Sequence, residues 1–534
     1  MINEHFIEVA SGKKRAELVI KNARYLNVFT GEILRGDIAI WGGKIAGIGE
    51  YEGERTYCTD GLVVPGFIDG HIHIESSMAT PEEFSKVAFP HGTTTAVCDP
   101  HEIANVAGEY GIRFMLDSSR VTDVDFKFML PSCVPATSLD ENYAYLDYLT
   151  LRSYYKRSGV IGLAEVMDVN AVVTCDADMR AKINFAQRHG RVIDGHAPGV
   201  SGKKLNAYIA AGVMSDHECT TLDEALDKLR LGQYIMIRQG TAAHNLKELL
   251  PLVDKYPDRC MFVTDDLHPE DLLKKGHIDY IVKEAVKLGA DKIKAITCAT
   301  FTPATYFGLN DRGAIAPGRR ADLVVLDDDL NVLDVFVGDK KRLNDAPVWD
   351  FKSFKVQPIN SRDLKIWQGD VIGLVPGQLL TNDLKTARGV NIDNDVVKLF
   401  TAERHHGTGH KAVCYLSGYG IRKGAVATSI AHDSHNIIAA GYDNDIVTAV
   451  NELIRIGGGI VVADGRTVKS LPLEIGGIMS AKPIAELAER LDEIKQFAYT
   501  LGVNKDIDPF MTLSFLSLPV IPSIRLLPSG VVKL

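Results

Sequence analysis

Two histidines one residue apart form the most informative chemical feature of the sequence. His71 and His73 end an apolar run that begins at Gly66. In a β-strand alternate side chains point to the same face, so the two imidazoles would lie side by side at the end of the strand. Such a pair can supply half of a metal site, although isolated pairs also occur on surfaces and in cores. Any further ligands must come from later in the chain.

Four more candidate ligands follow later apolar runs. Each one alone could be a helix cap, a surface group or a satisfied core residue. Together with the histidine pair they form a set of nitrogen and oxygen ligands able to hold two divalent cations, with one carboxylate bridging them. In chain order they are Glu165, His196, His217 and Asp265.

Three other polar groups are candidates for binding a substrate at the same site. Glu75 shares the strand face of His73 if the strand continues, but it could equally be a metal ligand or part of a salt bridge. Asp99 precedes a proline, and an aspartate before a proline is also common in ordinary turns. The group at 432–435 could be a solvated loop. The candidates are Glu75, Asp99, His101, Glu102, His432, Asp433 and His435.

The segments around these residues predict a barrel of alternating strands and helices. Between about residues 67 and 310, apolar runs of four to six residues alternate with longer amphipathic stretches. That rhythm over roughly 240 residues is typical of a closed (β/α)8 barrel, whose active sites lie at the carboxyl ends of the strands. An open doubly wound sheet is the alternative, but no convincing G-x-G-x-x-G follows a strand.

The sequence segments before and after the predicted barrel resemble β-strands. Gly42-Gly43 lies between two apolar strands and predicts a hairpin turn. The strand-like run at 313–326 could return to pair with the N-terminal strands. We therefore predict an N-terminal β-segment at 1–66, the barrel at 67–310, a returning β-segment at 311–355 and a C-terminal α/β domain at 356–534.

Composition favours a cytoplasmic protein that binds a small molecule. The 534 residues suggest several domains, and 46% hydrophobic with 24% charged residues is typical of soluble globular proteins. No apolar stretch approaches the ~20 residues of a membrane span, and the acidic N-terminus does not resemble a signal peptide. Eight cysteines without a C-x-x-C pair argue against disulfides or a thiolate zinc site. A net charge of −10 without a basic run argues against nucleic-acid binding.

The ligand order resembles that of the amidohydrolase superfamily. Members carry H-x-H after the first barrel strand, a bridging carboxylate after the fourth, histidines after the fifth and sixth, and an aspartate after the eighth. Longer strings narrow the resemblance to the bacterial and archaeal adenine deaminase family over nearly the whole chain. The strings are residues 70–78, 99–106, 162–167, 194–198, 215–218, 403–409 and 431–436.

The resemblance implies a TIM-type barrel flanked by a β-sandwich built from both sides of the barrel. It also implies two divalent metal ions, Mn²⁺ or Fe²⁺ with Zn²⁺ as the alternative, and a homo-oligomer such as a dimer. Glu165 would take the place of the carbamylated lysine that bridges the metals in many members. The implied metal ligands are His71, His73, Glu165, His196, His217 and Asp265.

The implied reaction is the hydrolysis of adenine to hypoxanthine and ammonia by a metal-activated hydroxide, in purine salvage. Glu165 and Asp265 would be the catalytic residues, with Asp265 taking the proton of the nucleophile. Asp266 competes for this role, and we prefer Asp265 because it directly follows the apolar run. The loop at 432–435 would help to close the site over the purine.

Two alternative functions remain open, and a third is excluded by the sequence. A cyclic-amide hydrolase of the dihydroorotase or hydantoinase type would use the same metal site with another pocket. A non-catalytic scaffold on the same fold is a second alternative, but such proteins typically lose metal ligands, and here the set is complete. Deaminases of the cytidine type need P-C-x-x-C, which this sequence lacks.

Overall fold

The N-terminal residues form five strands of a sheet that two later strands complete. The computed structural model describes residues 3–241, 243–338, 345–352, 354–375, 380–521 and 523–534. Strand β1 pairs with β2, β4 and β5, and β2 pairs with β3. Gly42 and Gly43 have φ angles of 55° and 68° in the β2–β3 hairpin turn, a conformation that glycine adopts readily, so the predicted turn is confirmed. The elements are α1 (Glu4–Ala10), β1 (Ala16–Asn27), β2 (Glu32–Trp41), β3 (Lys44–Gly49), β4 (Gly53–Cys58) and β5 (Leu62–Pro65).

Eight successive parallel strands form the predicted barrel, and its last strand is interrupted at Thr264. Strands β6 to β10 pair in chain order, β11 to β13 pair likewise, and β14 pairs with β6. The backbone N–H of Met214 donates to the carbonyl of Ile193 and joins β10 to the segment before β11. The strands are β6 (Phe67–His73), β7 (Thr93–Cys98), β8 (Asp125–Leu130), β9 (Val160–Val166), β10 (Val192–Gly195), β11 (Ser215–Asp216), β12 (Tyr234–Arg238), β13 (Cys260–Val263) and β14 (Asp265–Asp266).

Helices that follow the strands bury one face against the barrel. In the helix over 278–287, Ile278, Ile281, Val282 and Ala285 are buried at the i, i+3, i+4, i+7 spacing of an amphipathic helix. The helices are α2 (Pro81–Ala88), α3 (His101–Ala107), α4 (Glu109–Ser118), α5 (Tyr148–Leu151), α6 (Val169–Val173), α7 (Ala177–Arg188), α8 (Gly202–Ala210), α9 (Leu222–Arg230), α10 (Leu246–Lys255), α11 (Pro269–Lys275), α12 (Ile278–Lys287), α13 (Lys292–Cys298) and α14 (Phe301–Tyr306).

The chain returns to the N-terminal sheet after the barrel. Strand β15 (Leu323–Leu326) pairs antiparallel with β5, and β16 (Val332–Phe336) pairs antiparallel with β15. The predicted return of the run at 313–326 is therefore confirmed. The result is one seven-stranded sheet in the order β16-β15-β5-β1-β2-β3, with β4 attached to β1.

The C-terminal residues form an eight-stranded sheet with helices packed on it. The strand order is β18-β17-β20-β19-β22-β21-β23-β24, and β25 and β26 form a separate hairpin. The elements are β17 (Gly369–Leu374), β18 (Thr381–Ala387), β19 (Val396–Ala402), β20 (Lys411–Ser417), β21 (Ala425–Thr428), β22 (Ile437–Gly441), α15 (Asp443–Ile456), β23 (Gly459–Ala463), β24 (Val468–Pro472), α16 (Ile484–Thr500), α17 (Pro509–Ser514), β25 (Ile524–Leu527) and β26 (Gly530–Lys533).

The C-terminal domain rests on the end of the barrel where the candidate ligands lie. The backbone N–H of Ser480 donates to the carbonyl of Met78, just after β6, at 2.8 Å. Lys495 on α16 pairs with Glu270 on α11 at 2.8 Å. One hydrophobic cluster includes side chains of both regions, for example Ile72 and Leu487. Among the described residues, no helix is long and apolar enough to cross a membrane.

Candidate metal centre and substrate cavity

His71 and His73 point into the same buried space, as their spacing predicted. Their Nε2 atoms lie 3.2 Å apart at the end of β6. Asp265 Oδ1 lies 3.5 Å from the first and 3.2 Å from the second. Asp265 is in register with Ile72 on the neighbouring strand, which explains the contact. Its φ of 59° is left-handed, a conformation that aspartate tolerates better than most residues, and it marks the interruption of the last barrel strand.

Glu165 lies between two groups of histidines. Its Oε1 atom is 3.3 Å from His73 Nε2. Its Oε2 atom is 2.9 Å from His196 Nδ1 and 3.2 Å from His217 Nε2. The two carboxylate oxygens of Glu165 therefore face different histidines, an arrangement that suits a ligand shared by two metal ions. All six predicted metal ligands meet around this residue.

Opposing effects act on the pKa of each of the two central carboxylates. Burial raises the pKa of Glu165, but hydrogen bonds from His196 and His217 lower it well below its usual range. Burial also raises the pKa of Asp265, but hydrogen bonds from His71 and His73 and the charge of Arg238 lower it well below its usual range. Both side chains are therefore available as anionic ligands for a cation.

In the segment at 99–102, Asp99 and His101 lie at the ligand cluster, whereas Glu102 lies at the junction with the C-terminal domain. Asp99 Oδ2 lies 3.1 Å from His101 Nδ1, which is also 3.4 Å from Glu165 Oε1. Glu102 faces away, toward the C-terminal domain, where its Oε1 atom lies 2.6 Å from His432 Nδ1 and its Oε2 atom contacts His435 Nε2. These residues form α3 and its approach, directly after β7.

The other two candidates also lie close to these groups. Glu75 Oε1 accepts a hydrogen bond from the backbone N–H of Ile103 at 3.2 Å. Asp433 Oδ1 lies 4.0 Å from His101 Nε2. Both carboxylates are buried. The structure thus brings all the sequence-predicted site residues into one region.

A small cavity lies beside the cluster, between the barrel and the C-terminal domain. Asp266 borders this cavity and accepts a hydrogen bond from Ser76 Oγ, whereas Asp265 faces the histidines. The polar lining includes Glu75, Ser76, Glu102, Asp266, His268, His432, His435 and Ser514. The apolar lining is Met78, Ile430, Ile478, Phe510 and Met511.

Comparison with known proteins covers nearly the whole chain. Residues 62–349 match the amidohydrolase family, and residues 378–534 match the adenine deaminase C-terminal domain. The chain is 48% identical over 553 residues to adenine deaminase 2 of Carboxydothermus hydrogenoformans, covering 98% of this chain and 97% of that protein. It is 42% identical over 559 residues to the adenine deaminase of Desulfatibacillum aliphaticivorans, covering 100% and 98%. The chain belongs to the adenine deaminase family.

Among solved structures, a crystal structure of an adenine deaminase aligns with a TM-score of 0.46 at 19% identity. The alignment covers 58% of this chain and 90% of that one.

The cluster suits the divalent metal ions that amidohydrolases use. Four imidazoles and two carboxylates are ligands that Mn²⁺, Fe²⁺ and Zn²⁺ accept. Within the described residues, His71, Glu165 and His217 offer ligand atoms within 4.8 Å of one another, and so do His71, His73 and Asp265. These two groups share His71 and contain five of the six ligands, and His196 forms a third group with His217 and Glu218.

Several residues that support this adenine deaminase site were not predicted from the sequence. Arg238 Nη1 donates to Asp265 Oδ2 at 2.9 Å, and the same guanidinium pairs with Glu218. Glu218 Oε1 in turn lies 3.4 Å from His217 Nε2. A signal existed for both, because Arg238 ends an apolar strand and Glu218 directly follows a candidate ligand. No such signal marked Phe510 or Met511, which lie on a distant helix.

Proposed function

We propose that the chain hydrolyses adenine to hypoxanthine and ammonia. The observation that carries the proposal is the position of the C-terminal domain, which lies outside the matched amidohydrolase region and encloses the cavity beside the ligand cluster. The full-length relatives named adenine deaminase share both parts. A cyclic-amide hydrolase would need only the barrel site, and a silent scaffold would not need six converging ligands.

We propose that two divalent ions, Mn²⁺ or Fe²⁺ with Zn²⁺ as the alternative, are held by six residues. Glu165 is the proposed bridge because each of its oxygens faces a different histidine group. Bound ions of this kind lower the pKa of water to roughly 7 in favourable sites, which makes a nucleophile available near neutral pH. The proposed ligands are His71, His73, Glu165, His196, His217 and Asp265.

Asp265 is the proposed general base. Its Oδ2 atom accepts the Arg238 hydrogen bond, so Oδ1 is the oxygen that faces the cluster. Oδ1 takes a proton from water as the water oxygen bonds to C6 of the purine. The C6–amine bond then breaks, and the proton from Oδ1 leaves with the amine as ammonia. A positioned base or acid of this kind contributes typically 10²- to 10⁴-fold to a rate.

The remaining polar residues are proposed to hold and enclose the purine. Glu75, Glu102, His432 and His435 line the cavity. His101 lies between Glu102 and Glu165, at 3.5 and 3.4 Å, and it also contacts Asp99 and Asp433. Closure by the C-terminal domain would exclude water and strengthen the electrostatic interactions inside. We place the reaction in cytoplasmic purine salvage, carried out by a homo-oligomer such as a dimer.

Ammonia release from adenine tests the proposal. The purified protein is stripped of metal, reconstituted with Mn²⁺, and assayed with adenine, adenosine, dihydroorotate and hydantoin in parallel. We expect turnover of adenine, and none by the metal-free protein. Turnover of dihydroorotate or hydantoin in its place would establish the cyclic-amide alternative. A metal-loaded protein that acts on none of the four would contradict the proposal.

A further inference from the structure

His432 presents one unpaired ring nitrogen at the wall of the cavity. Its Nδ1 atom lies 2.6 Å from Glu102 Oε1, and the ring borders the cavity. Burial raises the pKa of Glu102, but neighbouring histidines, His432 foremost, lower it well below its usual range, so this carboxylate accepts. The Nδ1 atom of His432 must therefore carry the shared proton. Its Nε2 atom has no hydrogen-bond partner in the described parts of the chain.

The orientation of the His432 ring is fixed from the C-terminal side. Phe515 stacks on the ring with centroids 4.7 Å apart and an interplanar angle of 20°. The backbone N–H of His432 donates to the carbonyl of Ser514 at 3.0 Å. With one ring face covered and Nδ1 engaged, the edge that carries Nε2 is the part of the ring left for a ligand.

His435 shows the opposite arrangement on the same carboxylate. The backbone N–H of Ala431 donates to His435 Nδ1 at 3.3 Å, so the ring proton of His435 lies on Nε2. That Nε2–H faces Glu102 Oε2. Both nitrogens of His435 are satisfied by the protein, whereas His432 keeps one nitrogen for a ligand.

The charges around His432 favour a proton on its second nitrogen as well. Burial lowers the pKa of His432, but Glu102, Asp266 and Asp433 raise it to about 9. These three carboxylates come from the barrel and from the loop of His432 itself. An imidazolium at this position donates from Nε2 and does not accept.

We propose that His432 is the specificity contact that the C-terminal domain contributes, donating a hydrogen bond from Nε2 to an unprotonated ring nitrogen of the bound purine. The inference rests on the proposed deamination of adenine and deepens it. Glu102 is the positioning residue that fixes the proton on Nδ1. The ligand class is a flat heterocycle with a nitrogen lone pair in its plane, which adenine supplies and a cyclic imide such as hydantoin does not.

Two substitutions of His432 distinguish a hydrogen bond to the purine from a purely structural role of His432 in its loop. His432→Asn keeps an amide nitrogen near the position of Nδ1, toward Glu102, and removes the cavity-facing nitrogen. His432→Gln keeps a donor near the position of Nε2. We expect kcat/KM for adenine to fall about 10- to 100-fold in H432N, the range for losing a charged hydrogen bond, and to fall less in H432Q. Metal content and melting temperature serve as controls for folding.

Adenine analogues with one ring nitrogen replaced by carbon identify the partner atom. The inhibition constants of 1-deaza-, 3-deaza- and 7-deazaadenine against adenine deamination are measured with the Mn²⁺-loaded wild-type protein and with both variants, and are compared with the KM of adenine. One analogue should bind the wild type at least about tenfold more weakly than adenine does, and that difference should vanish in H432N. A purely structural role would weaken all ligands equally in the variant.

The outcomes separate this inference from the function on which it rests. Normal deamination by the wild type with no analogue affected would overturn the inference alone, even if neither variant folded. The inference would also be overturned if the analogue that binds the wild type more weakly than adenine does were weakened by the same factor in H432N. Failure of the wild type to release ammonia from adenine would overturn the proposed function first, and this inference with it.

Discussion

Arg238 donates a hydrogen bond from Nη1 to Oδ2 of Asp265 over 2.9 Å, which leaves Oδ1 of the same carboxylate facing His71 and His73. Arg238 ends the seventh barrel strand, and Asp265 begins the last segment of the eighth. The guanidinium also pairs with Glu218, which follows the sixth strand. One buried cation thus connects three neighbouring strand ends and determines which carboxylate oxygen faces the cluster.

Arg238→Met should therefore lower both activity and stability. The change leaves Asp265 and Glu218 buried without their partner, and breaking a buried ion pair costs about 3–5 kcal/mol. We expect kcat to fall at least about tenfold, because Asp265 loses its orientation. Stability is measured by denaturant unfolding and kcat by ammonia release. Arg230→Met is the matched control, since Arg230 pairs with Asp227 on the surface. This substitution should lower the free energy of unfolding by only about 0–1 kcal/mol. Unchanged kcat in R238M would show that Asp265 does not depend on this contact.

Asp265→Asn and Asp266→Asn should have different effects on catalysis. The first removes the proposed base, and we expect kcat to fall about 10²-fold or more. The second alters the cavity wall beside Ser76, so we expect mainly a higher KM. Metal content is determined for each variant. Near-normal turnover in D265N with unchanged metal content would refute the assignment, and a larger loss of kcat in D266N would transfer the role to Asp266.

Glu165→Gln should lose bound metal, because this substitution removes one negative charge from the centre of the ligand set. Metal analysis after reconstitution with Mn²⁺ measures the loss directly. Added Mn²⁺ should stabilise the metal-free wild type, by about 4 kcal/mol at a thousand times the dissociation constant, and should stabilise E165Q much less. Glu218→Gln is the comparison, since Glu218 also lies near His196 and His217. An equal loss of metal in E218Q would add Glu218 to the ligand set.

The barrel strands and the convergence of the six ligands could be predicted from local sequence. The carboxyl ends of parallel strands meet at one edge of a barrel, so polar residues that follow apolar runs must lie close together. His71 and His73 needed only the two-residue period of a strand. The return of the run at 313–326 to the N-terminal strands could be predicted from its strand-like residues, and the structure pairs β15 with β5.

Contacts between distant segments could not be predicted in this way. Glu102 and His432 are 330 positions apart, and nothing in either segment specifies the other. The same holds for Phe510 and Met511, which line the cavity because α17 packs at the junction. Tertiary packing of the two domains determines these contacts, and local periodicity contains no information about it.

Lys495 on α16 bridges the barrel and the C-terminal domain. Its Nζ atom lies 2.8 Å from Glu270 Oε1 and 2.9 Å from Asp508 Oδ2. Burial raises the pKa of Asp508, but the charges of Lys495 and His268 lower it below its usual value of 3.8. Because the folded pKa lies below the unfolded one, Asp508 contributes its stability above pH 3.8, and that stability is lost as the pH falls through the folded pKa.

Lys495→Met should reverse this dependence. Without the ammonium, burial raises the pKa of Asp508 in the folded state, so this carboxylate destabilises the folded state at neutral pH. We expect the free energy of unfolding at pH 7 to fall by about 2–4 kcal/mol, and the difference from wild type to shrink as the pH falls from 7 toward about 4.5. Denaturant unfolding at several pH values measures this. Lys469→Met on β24, whose partner Glu493 is exposed, should cost about 0–1 kcal/mol with little dependence on pH in this range. A K495M variant as stable as K469M at pH 7 would show that the buried ion pair contributes little to holding the domains together.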